Sequence, residues 1–155
     1  MKILLSNDDG YYASGIQALI NELEKNHDIY VAAPATNHSA GSSALSVRKD
    51  IKVDEVKKNH YVIDGTPADC VHIGLTCLIK EEIDIVVSGI NLGANLGDDV
   101  IYSGTVAAAL EGRHLKMSPI AISLTSQENI DINEAAILSS SLIENIISNN
   151  EISKN

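Results

Sequence analysis

Ile3-Leu4-Leu5 is a short apolar run that stops abruptly on Ser6-Asn7-Asp8-Asp9-Gly10. An apolar run bounded by turn residues reads as a buried parallel strand, which must be covered on both faces. Asn-Asp-Asp-Gly is turn chemistry, and it falls just beyond the carboxyl end of that strand, where open α/β sheets bind their ligands. Adjacent carboxylates repel each other unless a cation or a proton lies between them. A hard, oxygen-seeking ion such as Mg²⁺ or Mn²⁺ is the natural occupant, against the plainer reading that Asp8 or Asp9 only caps the next helix.

The following residues repeat the theme. Ile16, Leu19, Ile20 and Leu23 recur at helical spacing after a Tyr11–Gly15 loop, and Asp28–Ala33 reads as a strand stopped by Pro34. Strand, helix and strand within 33 residues make a βαβ unit. Ala44–Val56 alternates as two short strands around Lys49-Asp50, a β-hairpin excursion, and Tyr61–Ile63 is a brief strand. Thr66, Pro67 and Asp69 form an N-cap, a first-turn proline and an approximate capping box. The helix they open is predicted to reach Lys80 and to bury Val71, Leu75 and Leu78. Ile83–Ser88 and Pro119–Leu124 are further strands, Val106–His114 an Ala-rich helix, and Asp131–Ile147 an amphipathic helix through Ala135, Leu138, Leu142 and Ile146. The expected fold class is α/β: one three-layer Rossmann-like domain with a mostly parallel sheet of at least five strands.

Bulk properties fit that frame. A chain of 155 residues buries about 70% of its unfolded surface. With no Trp and no Phe its core must be Ile, Leu, Val and Ala. Cys70 and Cys77 are too few for a disulfide framework, and seven residues apart on a helix they share a face as core thiols. No run approaches membrane-spanning length and Met1-Lys2-Ile3 lacks signal-peptide organisation, so the expected compartment is the cytoplasm, with no membrane partner. A net charge of −10 argues against long nucleic acid, although a bound metal would still admit a small phosphate ester.

Three loops should converge on one sheet edge. The first carries Asp8 and Asp9; the second, Ala35–Ser43, carries His38 and Ser39. The third, Gly89–Thr105, holds Asn91, Asn95, Asp98 and Asp99 and ends in Ser103-Gly104-Thr105 at a helix start. A helix N-terminus is an anion site, and capping by Ser103 is compatible with it. There is no GxxxxGK[ST], no well-placed GxGxxG, no HExxH-type motif and no GxSxG elbow, so metal-assisted phosphoester hydrolysis is the reaction class that fits. A receiver domain would need a phospho-accepting Asp after its third strand and a Lys after its fifth. A haloacid-dehalogenase-type phosphatase would need DxD rather than an adjacent pair.

SNDDG (6–10), APATNHSAGSS (33–43), DGTPADCVHIG (64–74) and SGINLGANLGDDVIYSGTVAAALEG (88–112) resemble the SurE survival-protein family of metal-dependent 5′-nucleotidases. The resemblance implies hydrolysis of nucleoside 5′- and 3′-monophosphates, and of short polyphosphate, with one Mn²⁺ or Mg²⁺ per chain. It implies Asp8, Asp9, Ser39 and Asn91 as metal ligands, where the residues alone would have suggested His38. It places Asn95, Ser103, Gly104 and Thr105 at the phosphate, with Asp8 and Asp9 catalytic. Family members are longer and assemble into dimers and tetramers, so residues 1–155 correspond to a core domain without the family's C-terminal extension. The other reading is a truncated metal- or nucleotide-binding module without activity. Tyr11, Tyr12 and Tyr102 are candidate surfaces for stacking a base.

Overall fold

The first apolar run becomes the middle of the molecule. In the computed structural model, which describes residues 1–38, 44–46, 50–125 and 131–152, β1 (Lys2–Ser6) lies between β2 (Asp28–Pro34) and β5 (Ile85–Leu92). Both pairings are parallel, with Ile3 opposite Ile29 on one side and Ile85 on the other. The other strands are β3 (Val53–Lys57), β4 (His60–Ile63) and β6 (Ile120–Leu124). They complete a six-stranded sheet in the order β3-β4-β2-β1-β5-β6, in which only β3 runs antiparallel. The chain leaves β1 toward β2 and later returns to its other side with β5. The crevice between β1 and β5 is therefore a topological switch point, the usual ligand position in such sheets.

Alternation along β1 divides the core. Ile3 and Leu5 pack with Ile16, Leu19 and Leu23 of α1 (Ser14–Leu23) and with Ala135 and Ile143 of α5 (Ile132–Ile152). Leu4 faces the other way, into a cluster with Cys70 and Val71 of α2 (Pro67–Ile73) and Ala108 of α4 (Gly104–Leu110). A sheet buried on both faces between helices is the expected three-layer α/β arrangement.

Four local expectations are corrected. The hairpin turns at Lys58-Asn59 rather than at Lys49-Asp50: β3 pairs antiparallel with β4, and Asn59 takes the left-handed conformation at φ +65°. Residues 47–49 lie outside the described residues. The helix capped by Thr66 ends as regular α-helix at Ile73 and continues as a π-helical turn over Gly74–Leu78. The wider turn breaks the register that would have aligned the two cysteines. Cys70 is accordingly buried, Cys77 is exposed, and Leu75 and Leu78 are only half-buried. Finally, α5 buries Ala135, Ala136, Ser139, Ser140, Ile143 and Ile147, leaving Leu138 71% and Leu142 56% exposed. Small residues on that face let α5 approach the core closely, whereas the leucine stripe lies outside it beside β6.

The capping box itself is as expected. Thr66 Oγ1 accepts from the Asp69 N–H at 3.1 Å and Asp69 Oδ2 accepts from the Thr66 N–H at 3.0 Å. Asp69 also receives the Ser46 N–H at 2.8 Å, which ties the residues ahead of β3 to α2. Burial alone would raise its carboxyl, but the hydrogen bonds from Ser46 and Thr66 outweigh burial and hold it below the usual range.

Candidate functional site

The carboxyl edge of β1 is shaped by one side chain that sequence reasoning did not single out. Asn7 is fully buried and clamps its own turn: its Nδ2 donates to the Gly10 carbonyl at 2.9 Å, and its Oδ1 accepts the Gly10 N–H at 3.2 Å. An Asx residue closing a loop on itself is a recognisable turn device, so the signal was present in Asn-Asp-Asp-Gly. With the turn fixed, Asp8 and Asp9 are presented side by side at the switch point.

The two carboxylates have different surroundings. Asp8 is 5% exposed, and its Oδ1 accepts a hydrogen bond from Thr105 Oγ1 at 2.6 Å. Its backbone carbonyl takes the His38 N–H at 2.7 Å, so the loop after β2 docks on the loop after β1 through main chain. Asp9 is half-buried and accepts from Asn37 Nδ2 at 3.1 Å. Burial first, and the Asp8 charge second, push Asp9 above the usual carboxylate range, against opposing hydrogen bonds from the Leu92 backbone and Asn37. Such a site is short of positive charge.

Asn91 reaches the same place through an irregularity in β5. Ser88 pairs with Ala121 but Asn91 pairs with Ser123, so β5 carries one residue more than β6 across this stretch. A bulge of this kind re-aims the side chains beyond it. Gly89 makes it possible: it sits at φ +139°, and a Cβ there would lie 2.5 Å from the Ile122 carbonyl oxygen. Asn91 Nδ2 donates to the Gly93 carbonyl at 2.9 Å, which commits the nitrogen and leaves the side-chain oxygen as the available donor atom. Asn91 was expected in a loop after a strand ending at Ser88; the strand instead continues to Leu92.

The far wall is α3 (Asp99–Tyr102) followed by α4. Ser103 is the N-cap of α4, its Oγ accepting the Val106 N–H at 3.2 Å. The helix thus starts at Gly104 rather than Val106 and ends at Leu110 rather than His114. A Cβ on Gly104 would stand 2.7 Å from Asp8 Cβ, so the helix start and the acidic turn meet at a distance only glycine permits.

Together these elements enclose a cavity of about 300 Å³ lined by Asp8, Asp9, Asn91, Asn95, Ser103 and Gly104, and also by Leu92, Asp99 and Tyr102. Six of the eight candidate site residues therefore share one cavity. Thr105 does not line it; it is fully buried, with its hydroxyl on Asp8. Ser39 lies outside the described residues. Asn95 donates from Nδ2 to Ser123 Oγ at 2.7 Å, anchoring its loop to β6. Asp99 was noted in its loop but given no site role, and Asn37 was not singled out, since no local pattern distinguishes it from a surface polar residue. Of the three tyrosines, only Tyr102 reaches the cavity; Tyr11 is buried against His60, and Tyr12 does not line it.

Among the described residues the lining offers carboxylate and amide oxygens and no Lys or Arg. Among the described residues no three His, Cys, Asp or Glu side chains cluster as a metal centre. The donor set is two carboxylates plus neutral oxygens, which suits a hard divalent ion rather than zinc. No helix among the described residues is long and apolar enough to cross a membrane.

Comparison with known proteins identifies the fold and the family. The chain is 51% identical over 146 residues to the 5′-nucleotidase SurE of Ruthia magnifica, covering 94% of this chain and 59% of the relative. It is 53% identical over 143 residues to that of Histophilus somni, covering 92% and 57%. The crystal structure of the SurE protein from Aquifex aeolicus superposes with a TM-score of 0.88 at 40% identity, covering 96% of this chain and 60% of that one. The chain thus spans a little over half the length of the relatives it matches. The family description Survival protein SurE matches residues 3–155, and the chain belongs to the SurE family.

Proposed function

We propose that the protein is a metal-dependent phosphoric monoester hydrolase, a 5′-nucleotidase acting on nucleoside monophosphates, with 3′-monophosphates and short polyphosphate as further substrates. The observation that carries this reading is the convergence of Asp8, Asp9 and Asn91 on one cavity that also contains the start of α4 and, among the described residues, no cationic side chain. A dianionic phosphate will not enter an acidic cavity unless positive charge is supplied. Asp8, Asp9, Asn91 and Ser39 would hold one Mn²⁺ or Mg²⁺. Bound there, the ion supplies charge neutralisation at the phosphoryl oxygens.

The remaining work belongs to the chain. Ser103 accepts from Val106 through its oxygen, so its own hydroxyl proton is available to a phosphate oxygen. The Gly104 N–H precedes the first intrahelical bond of α4 and has no helical acceptor. Asn95 borders the same space. Asp8 and Asp9 are the acid–base candidates for the attacking water and the leaving oxygen. Phosphoryl transfer of this kind is accelerated chiefly by positioning and charge neutralisation, and needs no covalent nucleophile from the enzyme. A cytoplasmic homo-oligomer, dimer or tetramer, that binds no long nucleic acid completes the proposal.

The second reading is a binding module that holds metal and nucleotide without turnover, and the chain's share of its relatives' length is consistent with it. Phosphate release from a panel of nucleoside monophosphates, with Mn²⁺, Mg²⁺ or EDTA, separates the two. Metal-dependent release that disappears in Asp8→Asn supports the nucleotidase. Silence across the panel with Mn²⁺ still bound by calorimetry selects the binding module, and silence without metal binding overturns the site.

A further inference from the structure

We infer that Thr105 is the positioning residue for Asp8: its hydroxyl holds one carboxylate oxygen so that the other faces the cavity for the cation. This rests on the reading above that Asp8 is a metal ligand. By place in the sequence Thr105 belongs with Ser103 and Gly104, as a hydroxyl at a helix start that would meet a phosphate. Its surroundings argue for a different role.

Thr105 is fully buried and Asp8 is 5% exposed, so no bulk water competes for the contact between them. The Thr105 Oγ1 to Asp8 Oδ1 distance of 2.6 Å lies in the range of a hydroxyl donating to an ionised carboxylate. The proton in this bond is the threonine's, and the bond commits Oδ1 of the carboxylate to Thr105. Among the described residues no donor reaches Asp8 Oδ2. Gly104 closes the remaining freedom, since its α-carbon faces Asp8 closely enough that a Cβ would stand 2.7 Å from Asp8 Cβ and 3.1 Å from Oδ2. The carboxylate is therefore gripped through one oxygen and walled on one side, with Oδ2 left for the cavity that Asp8 lines.

Ligating carboxylates are commonly held this way by an outer partner, whose loss lowers metal affinity roughly ten- to a hundredfold. Asp9 is held differently, by the Leu92 backbone and by Asn37, an exposed amide in a loop, with no buried hydroxyl among its partners. On this reading Asp8 is the ligand of the pair preset by a buried side chain.

The test is Mn²⁺ affinity by titration calorimetry for the whole chain and its Thr105→Val and Thr105→Ser variants, each with its metal-free melting curve. Valine keeps the volume and removes the donor; serine keeps the donor and removes a methyl group. The expected result is a ten- to hundredfold weaker affinity in Thr105→Val with cooperative melting retained, and affinity within a few-fold of the parent in Thr105→Ser. A purely structural role would weaken both variants alike or neither, and either result overturns the assignment. Should Thr105→Val not fold, Thr105→Ala against Thr105→Ser gives the same contrast. If the unsubstituted chain itself binds no Mn²⁺, the metal-site reading fails, and the positioning role falls with it.

Discussion

Gly104 and Gly112 offer a matched pair of perturbations on the same stretch of chain. An alanine at 104 would place Cβ 2.7 Å from Asp8 Cβ; an alanine at 112 would place it 2.5 Å from Val86 Cγ2 and 2.6 Å from Val86 Cβ. Ordinary contact begins near 3.4 Å, so each neighbour must retreat by about 0.7–0.9 Å, an overpacking that costs about 1–3 kcal/mol. Replacing a glycine inside a helix recovers at most about 1 kcal/mol, less at the first position, where Gly104 sits, and Gly112 lies in the turn beyond α4. For a domain of this size each kcal/mol moves the melting temperature by roughly 2–4 °C. Both variants should therefore melt lower, by up to about 10 °C. Only Gly104→Ala displaces a proposed metal ligand, and it does so by several times the roughly 0.2 Å that metal–ligand distances tolerate. Its Mn²⁺ affinity by calorimetry should fall at least tenfold, whereas Gly112→Ala should bind as the parent does. Equal affinities in the two variants would refute the claim that the start of α4 sets the position of Asp8.

Three further outcomes test other parts of the structure. Ile143→Ala, which empties a fully buried position on α5, should cost about 2–5 kcal/mol in urea denaturation. Leu138→Ala, on the exposed stripe of the same helix, should stay within about 0.5 kcal/mol; the reverse order would restore the leucine face as the buried one. Asp9→Asn should raise the metal-free melting temperature at pH 7. The folded state raises the Asp9 pKa, so its contribution is favourable at low pH and lost as pH rises through the folded value. That gain should shrink in acid, and a variant no more stable than the parent at pH 7 would count against it. His60 is displaced below its ordinary 6.5 by burial first and Lys57 second, with Glu24 opposing. Below about pH 6.5 the unfolded chain takes up a proton that the fold resists, so stability should decline from there through the folded value. His60→Gln should flatten that decline in melting curves taken from pH 7.5 to 5.

What could be read from the sequence was what is encoded locally. Ile3-Leu4-Leu5 ahead of Asn-Asp-Asp-Gly is strand and turn within eight residues, and Thr66-Pro67-Ala68-Asp69 is a cap within four. The hairpin was misplaced because Lys49-Asp50 and Lys58-Asn59 are equally polar pairs inside alternating stretches, and pairing with β2 chose between them. The buried face of α5 was misread because a leucine stripe and an Ala/Ser stripe both recur at helical spacing, and hydrophobicity alone favours the wrong one. The bulge in β5 depends on its register with β6, which no window around Gly89 contains. Most of the candidate site residues were legible as chemistry. The contact of Thr105 with Asp8 was not, because the two lie 97 residues apart.

That separation also sets a timetable. On a growing chain Asp8 emerges long before the groups that hold it, which arrive only with residues 104 and 105, after most of the sheet has been made. A nascent or clipped chain ending before α4 would carry Asp8 as an unheld carboxylate, and the acidic pair would have little claim on a divalent ion. Ion affinity would then appear late and all at once, as a reporter of completed docking. An ion that binds only the finished site stabilises it by about 2.7 kcal/mol at a hundred times its dissociation constant. The supply of metal during synthesis would then help determine how much of the chain ends up folded.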